Sequence, residues 1–241
     1  MQITRYEFKA TVKRPIRAAF VADTHDKPYG KIVEAIKSNK VDVILHTGDI
    51  IYAHDDHVVR AFDMLKEFVS IAPTFMSLGN HEGGAVPLVR NKCREIGVKL
   101  LEDEYEMFED ICIGGLTSGY IADIKALEEN HWRKTPDPNF AWLKAFSDLP
   151  GYKVLLNHHP EYFPEYIKEL NIDLTLSGHA HGGQWRIFGL GVFAPGQGLF
   201  PQYTSGIYDN RLIVSRGLAN NAPPFPRIFN SKELIFIDFL N

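Results

Sequence analysis

A chain of 241 residues, 45% of them hydrophobic, can bury most of its unfolded surface in one core, so a single domain over 1–241 is the simplest expectation. Its 26 basic and 30 acidic residues leave a net charge of -4, which excludes the basic footprint of bulk nucleic-acid binding or of docking on an anionic membrane. Cys93 and Cys112 are too few for a disulfide scaffold, and the N-terminal MQITRYEFKATVKRP lacks the apolar run of a signal peptide or membrane span, so a soluble, cytoplasmic protein is expected.

In chain order, short apolar runs alternate with longer periodic ones. The runs 16–22, 41–47, 74–78, 153–157 and 172–177 are rich in Val, Ile, Leu and Phe and read as buried strands. Segments 31–38, 57–70 and 86–96 space apolar residues three and four apart and read as helices, with Ala35/Ile36, Phe62/Leu65/Val69 and Val89/Cys93 facing inward. The first half is therefore βαβαβα. Helices are also expected over 139–147 and 161–170, and the tail offers strands at 185–188, 211–215 and 233–239 without helices between them. An α/β fold with strands of both halves packed together follows.

Five of the apolar runs end in residues able to bind a metal. AAFVAD leads to Asp23, Thr24 and His25; VILHTGD ends at Asp49; FMSLGNH ends at Asn80 and His81; KVLLNHH ends at His158 and His159; LTLSGHAH ends at His179 and His181. Ligands of open α/β sheets gather at the carboxyl ends of strands, so the five loops can share one crevice. Carboxylate, imidazole and amide oxygen suit Mn, Fe, Zn or Co. Seven candidate ligands (Asp23, His25, Asp49, Asn80, His158, His179, His181) exceed one tetrahedral shell and suit a pair of ions sharing a carboxylate. Taken singly, such residues are usually turn formers or ordinary histidines; five coincident strand ends argue otherwise.

The ordered set Asp23-x-His25, Gly48-Asp49, Gly79-Asn80-His81, His158 and Gly178-His179-x-His181 resembles that of the calcineurin-like metallophosphoesterases. Gly182-Gly183-Gln184 and the tail around Ser215-Arg216-Gly217 resemble a bacterial branch that includes phosphodiesterases, some acting on lipid-linked substrates. The resemblance implies a four-layer α/β/β/α sandwich of two mixed sheets flanked by helices. It also implies that Asp23, His25 and His181 hold one divalent ion, that Asn80, His158 and His179 hold the other, and that Asp49 bridges them. Manganese is the first expectation, with iron or zinc as alternatives. Asn80 and His81 then meet the substrate, with His81 the catalytic residue that helps the leaving group depart. The reaction implied is hydrolysis of a phosphodiester or phosphomonoester by in-line attack of a metal-bridging hydroxide.

The substrate expected is a small phosphorylated molecule, a nucleotide or lipid-linked compound included, with no obligate protein partner. Two rivals stand beside this reading. One is another metal-dependent hydrolase such as an amidohydrolase, which usually places His-x-His after its first strand. The other is a non-catalytic interaction module on the same fold, which should have lost ligands. Glu82 is a candidate orienter of His81, and His159 a support for His158. The cluster His54-Asp55-Asp56-His57 reads first as a solvated helix terminus, whereas His46 and His131 carry no role. The aromatic stretch 184–208 fits an apolar pocket or packing between tail strands, and Arg216 a phosphate contact or, more commonly, a carboxylate pair.

Overall fold

A computed structural model describes residues 1–52, 58–122, 135–219 and 226–241. In chain order its strands are β1 (Gln2–Lys9), β2 (Ile16–Val21), β3 (Val43–His46), β4 (Thr74–Met76), β5 (Lys99–Leu100), β6 (Glu104–Phe108), β7 (Ile111–Leu116), β8 (Tyr152–Asn157) and β9 (Leu174–Ser177). Then follow β10 (Arg186–Ile187), β11 (Leu190–Gly191), β12 (Phe193–Ala194), β13 (Gly198–Leu199), β14 (Gly206–Tyr208), β15 (Leu212–Val214) and β16 (Glu233–Leu240). The α-helices are α1 (Gly30–Ser38), α2 (Val59–Ile71), α3 (Val86–Ile96), α4 (Gly119–Ala122) and α5 (Phe140–Ser147).

Two six-stranded mixed sheets result, ordered β1-β16-β2-β3-β4-β5 and β14-β15-β9-β8-β7-β6. Side-chain alternation along their central strands decides the layering, because successive residues face opposite sides of a sheet. Ala19 and Val21 of β2 and Ile44 of β3 pack on α1, α2 and α3 through Ile36, Phe62, Leu65, Phe68 and Val89. Their neighbours Ala18, Phe20, Val43 and Leu45 face the second sheet and meet Ile113, Val154, Leu156, Leu176 and Ile213. The far face of that sheet, with Cys112, Leu155 and Val214, is covered by Leu143 and Phe146 of α5 and by Phe163 and Ile167. Helix, sheet, sheet and helix layers follow. Burial of Phe20 alone, fully sequestered between the sheets, contributes about 1.5–3 kcal/mol.

The expected strands and the helices α1, α3 and α5 form within a few residues of the anticipated bounds, α5 with Asn139 capping it through the Trp142 N–H. The start expected for α2 at His57 lies outside the described residues, as do the His54–His57 cluster and His131. Between 161 and 170 the expected α-helix is replaced by a single wide turn, Phe163–Ile167, closed by Lys168 N–H donating to Phe163 O at 2.8 Å. Pro164, which has no N–H to give, sits in that turn. Pattern reading also passes over β1, which is a charged, half-exposed strand paired in parallel with β16, and over the β6–β7 hairpin. Among the described residues no helix is long and apolar enough to cross a membrane.

Candidate metal centre

Strands β2, β3 and β4 run parallel in one sheet, β8 and β9 run parallel in the other, and their carboxyl ends adjoin. The loops after β2 and β3 are laced together by backbone bonds, with Thr24 and His25 N–H groups both donating to Asp49 O at 3.0 Å. The two sheets are tied at the same place by His158 Nδ1 to Thr47 O at 2.7 Å and by His179 N–H to Asp23 Oδ1 at 3.0 Å. The approach is close enough to require glycine: a Cβ on Gly79 would stand 2.2 Å from Asp49 Oδ1, and one on Gly48 2.1 Å from Gly79 N. Asp23, His25, Asp49, His179 and His181 all have φ between 44° and 61°, a left-handed conformation that costs about 1–3 kcal/mol per residue outside glycine and that collects where side chains must be aimed.

The seven named side chains converge. His181 Nε2 is 3.3 Å from His25 Nε2 and 3.6 Å from Asp23 Oδ1. His158 Nε2 is 3.1 Å from Asn80 Oδ1 and 3.2 Å from Asp49 Oδ2, whereas His25 Nε2 is 3.7 Å from Asp49 Oδ2. Ligand atoms of Asp23, His25 and His181 lie within 4.8 Å of one another, and so do those of Asp49, His158 and His179. The set is buried, and Asp23 Oδ2 and Asp49 Oδ2 have no hydrogen-bond partner. Buried carboxylate oxygens are costly unless a cation or donor meets them, so two such oxygens facing imidazole nitrogens fit divalent ions. His25 and His158 donate from Nδ1 to Ile51 O and Thr47 O, which turns Nε2 of each toward the cluster.

The charges are distributed unevenly. Burial pushes Asp23 up to about 7, against the pull of His158. Burial opposes ionisation of Asp49 too, but His158 and His81 outweigh it and hold that carboxyl well below the usual carboxylate range. Burial lowers His25 to about 3 and takes His179 and His181 well below the imidazole range. His158 goes the other way, to about 10, because Asp49 and Asp23 override its burial.

His81 lies at the rim, half-buried, stacked on Tyr52 with ring centroids 5.0 Å apart and with Nε2 3.9 Å from Asp49 Oδ2. Geometry alone would also let it join His25 and Asp49 around an ion. Glu82 does not orient it. The Glu82 carboxylate turns inward and accepts the N–H groups of Asp49 at 2.8 Å, Ile50 at 2.9 Å and Gly79 at 2.7 Å, which clamps two of the strand-end loops. His159 is buried beside His158 and His179, and His46 accepts the Gly48 N–H through Nδ1.

Arg216 pairs with Glu233 at 3.2 Å and Gln2 at 2.6 Å. The aromatic stretch includes two small hairpins, β10–β11 and β12–β13, and along it Tyr203 is buried but Phe188 and Phe200 are exposed. A residue that sequence reasoning missed is Arg227, whose Nη2 sits 2.9 Å from His181 Nδ1. It follows the proline-rich sequence APPFP rather than an apolar run, so no sequence pattern marks it.

The calcineurin-like phosphoesterase family profile matches residues 16–183, which include every one of these strand ends. The chain belongs to that family. An uncharacterized metallophosphoesterase of Campylobacter jejuni is 25% identical over 223 residues, covering 89% of this chain and 54% of that protein. One from Helicobacter pylori strain J99 is 29% identical over 215 residues, at 87% and 54% coverage, so the chain spans about half the length of these relatives. The phosphodiesterase YaeI of Escherichia coli is 27% identical over 228 residues, covering 86% of this chain and 76% of that one. Among solved structures, a putative 5'-nucleotidase from Staphylococcus aureus superimposes with a TM-score of 0.52 at 15% identity, over 92% of this chain and 54% of that one, a likeness of fold.

Proposed function

We propose that this chain is a binuclear phosphoesterase that hydrolyses a phosphodiester in preference to a phosphomonoester. In this reading Asp23, His25 and His181 hold one divalent ion, Asn80, His158 and His179 hold the other, Asp49 is shared, and His81 with Asn80 meets the substrate. The observation that carries it is the pair of buried, unpartnered oxygens, Asp23 Oδ2 and Asp49 Oδ2, among the facing nitrogens of His25, His158 and His181. The diester preference rests on the relation to YaeI.

Ions in such a pair, when bound, lower the pKa of water toward about 7 and neutralise phosphate oxygens during an in-line displacement. The chain's own groups do the rest. Asp49 N–H and Gly79 N–H, fixed on Glu82, hold two ligand loops in register. In this reading His81, at the rim, donates a proton to the departing oxygen, a contribution of about 10²–10⁴ in rate. Two free, buried cysteines are in keeping with a reducing, cytoplasmic setting.

The test is a turnover panel: a chromogenic diester, the matching monoester, cyclic nucleotides and a lipid-linked pyrophosphate, each with Mn2+, Zn2+ or no added metal. Metal-dependent turnover led by a diester is expected, abolished in Asp49→Ala, which also loses metal. His81→Ala should keep its ions and lose turnover. A protein that binds metal and turns over nothing would favour the interaction module instead.

A further inference from the structure

Behind the proposed second ion site lies a group the reaction does not use. Glu161 follows His158-His159-Pro160 directly, and its carboxylate lies beside two buried imidazoles in edge contact, those of His159 and His179, with ring centroids 4.4 Å apart. Glu161 Oε1 accepts the Thr135 hydroxyl at 2.5 Å and lies 3.3 Å from His159 Nδ1 and 3.9 Å from His179 Nε2. Three buried atoms here have no hydrogen-bond partner: His159 Nδ1, His179 Nε2 and Glu161 Oε2. Two ring nitrogens that can carry protons thus lie beside Oε1 of a carboxylate that has acceptor capacity to spare.

A carboxylate selects tautomers. An unprotonated ring nitrogen would set a lone pair against its charge, so each imidazole does best with N–H toward Glu161. For His159 that leaves Nε2 to accept the Ser118 hydroxyl, 2.7 Å away. For His179 it leaves Nδ1 as the nitrogen with a lone pair. The His179–Glu161 distance exceeds hydrogen-bond length, and a buried donor without an acceptor beside a carboxylate that can accept more than the Thr135 hydroxyl is corrected by a small approach of the two. The carboxylate is held in place from the other side. Gly196, at φ 70°, lets its loop close over Glu161: a Cβ there would stand 2.2 Å from Oε1 and 2.8 Å from Thr135 Oγ1.

We propose that Glu161 is the positioning residue of the second ion, accepting His179 Nε2–H so that His179 Nδ1 is presented to the metal. This rests on the metal reading given above, since it concerns how one of the named ligands is aimed. Metal-bound histidines regularly lean on a carboxylate in this way, and removing it lowers metal affinity about 10–100-fold.

The experiment measures Zn2+ binding by equilibrium dialysis in wild type, Glu161→Ala, Glu161→Gln, Gly196→Ala and His179→Ala, together with 15N NMR of histidine-labelled protein with and without Zn2+. Wild type should take up two equivalents. Glu161→Ala should weaken one of them about 10–100-fold and leave the other unchanged, and its His179 signal should move from a single tautomer to a mixture. Glu161→Gln keeps an acceptor oxygen, so its loss should be smaller. Gly196→Ala, which displaces the carboxylate without removing it, should resemble Glu161→Ala. His179→Ala should lose the same equivalent outright.

Unchanged affinity and an unchanged tautomer in Glu161→Ala would overturn the proposal. So would loss of a third equivalent, because Glu161 would then itself be a ligand, in a separate site with His159. Should wild type take up no Zn2+, the metal reading fails, while the tautomer in ion-free protein still decides what Glu161 does to His179. Thermal unfolding of each ion-free variant separates misfolding from these effects.

Discussion

Asp49 Oδ2 and His158 Nε2 lie 3.2 Å apart with both side chains fully buried. Burial by itself would lower the imidazole, yet Asp49, with Asp23, raises His158 to about 10. In the ion-free protein it therefore carries a proton at neutral pH. A metal ion needs the lone pair of Nε2, so binding must expel that proton. Mn2+ affinity should rise with pH below about 10, and calorimetry at pH 7.5 in buffers of different ionisation enthalpy should show proton release that shrinks in His158→Gln. Buffer-independent heats would contradict the assignment. The same shift acts on folding. A folded value above the free value of 6.5 gives stabilisation that is complete below pH 6.5 and lost as pH rises through about 10, so the ion-free protein should melt lower in alkali.

Glu82 holds the same region by other means. Its carboxylate is the acceptor for the N–H groups of Asp49, Ile50 and Gly79. In Glu82→Ala those three buried donors lose their acceptor, at about 1–3 kcal/mol each, so a loss of roughly 3 kcal/mol or more is expected in urea unfolding. Glu82→Gln retains one oxygen and should lose less. If Glu82→Ala unfolds at the wild-type midpoint, the clamp is not what holds the loops.

The strand ends were legible because an apolar run immediately before a polar cluster is a strong local signal, and β2, β3, β4, β8 and β9 all carry it. What sequence could not show is direction. Glu82 and His81 are adjacent, yet one turns inward onto backbone N–H groups and the other to the rim, a difference set by the loop geometry of Asp49 and Gly79 rather than by residue type. Arg227 and Glu161 share a related reason: each follows a proline in sequence rather than closing an apolar run, so only the folded chain brings it near the cluster. Strand β1 was passed over because its exposed face is charged, as an edge strand's can be.

Gly79 and Gly84, both between β4 and α3, provide a matched pair for testing how tightly the loops meet. A Cβ on Gly79 would stand 2.2 Å from Asp49 Oδ1 and 2.7 Å from Asp49 N, and one on Gly84 would meet nothing within 4 Å. Gly79→Ala must force the Asp49 loop away, with a cost of about 1–3 kcal/mol and weakened metal binding. Gly84→Ala should stay within about 0.5 kcal/mol of wild type and bind metal normally. Equal midpoints and equal metal content for the two variants would show that the loops have slack.

The contact between Arg227 and His181 sets a condition on loading the first ion. Arg227 Nη2 is 2.9 Å from His181 Nδ1, and a guanidinium can only donate. Neutral His181 then carries its proton on Nε2, 3.3 Å from His25 Nε2, whose lone pair is available because His25 Nδ1 donates to Ile51 O. An ion held by Asp23, His25 and His181 requires that lone pair on His181 Nε2 instead. The proton must move to Nδ1, where it meets the donor face of Arg227, so metal and guanidinium compete for the tautomer of one ring. Arg227→Gln offers an oxygen that accepts Nδ1–H. It should tighten Mn2+ at this site by about 2- to 10-fold, the worth of one ordinary hydrogen bond, despite losing the bonds from Arg227 to Arg216 O and Ala219 O. Competition dialysis against a chelator measures the change, and weaker binding in Arg227→Gln would mean that the guanidinium supports the loaded site rather than opposing it.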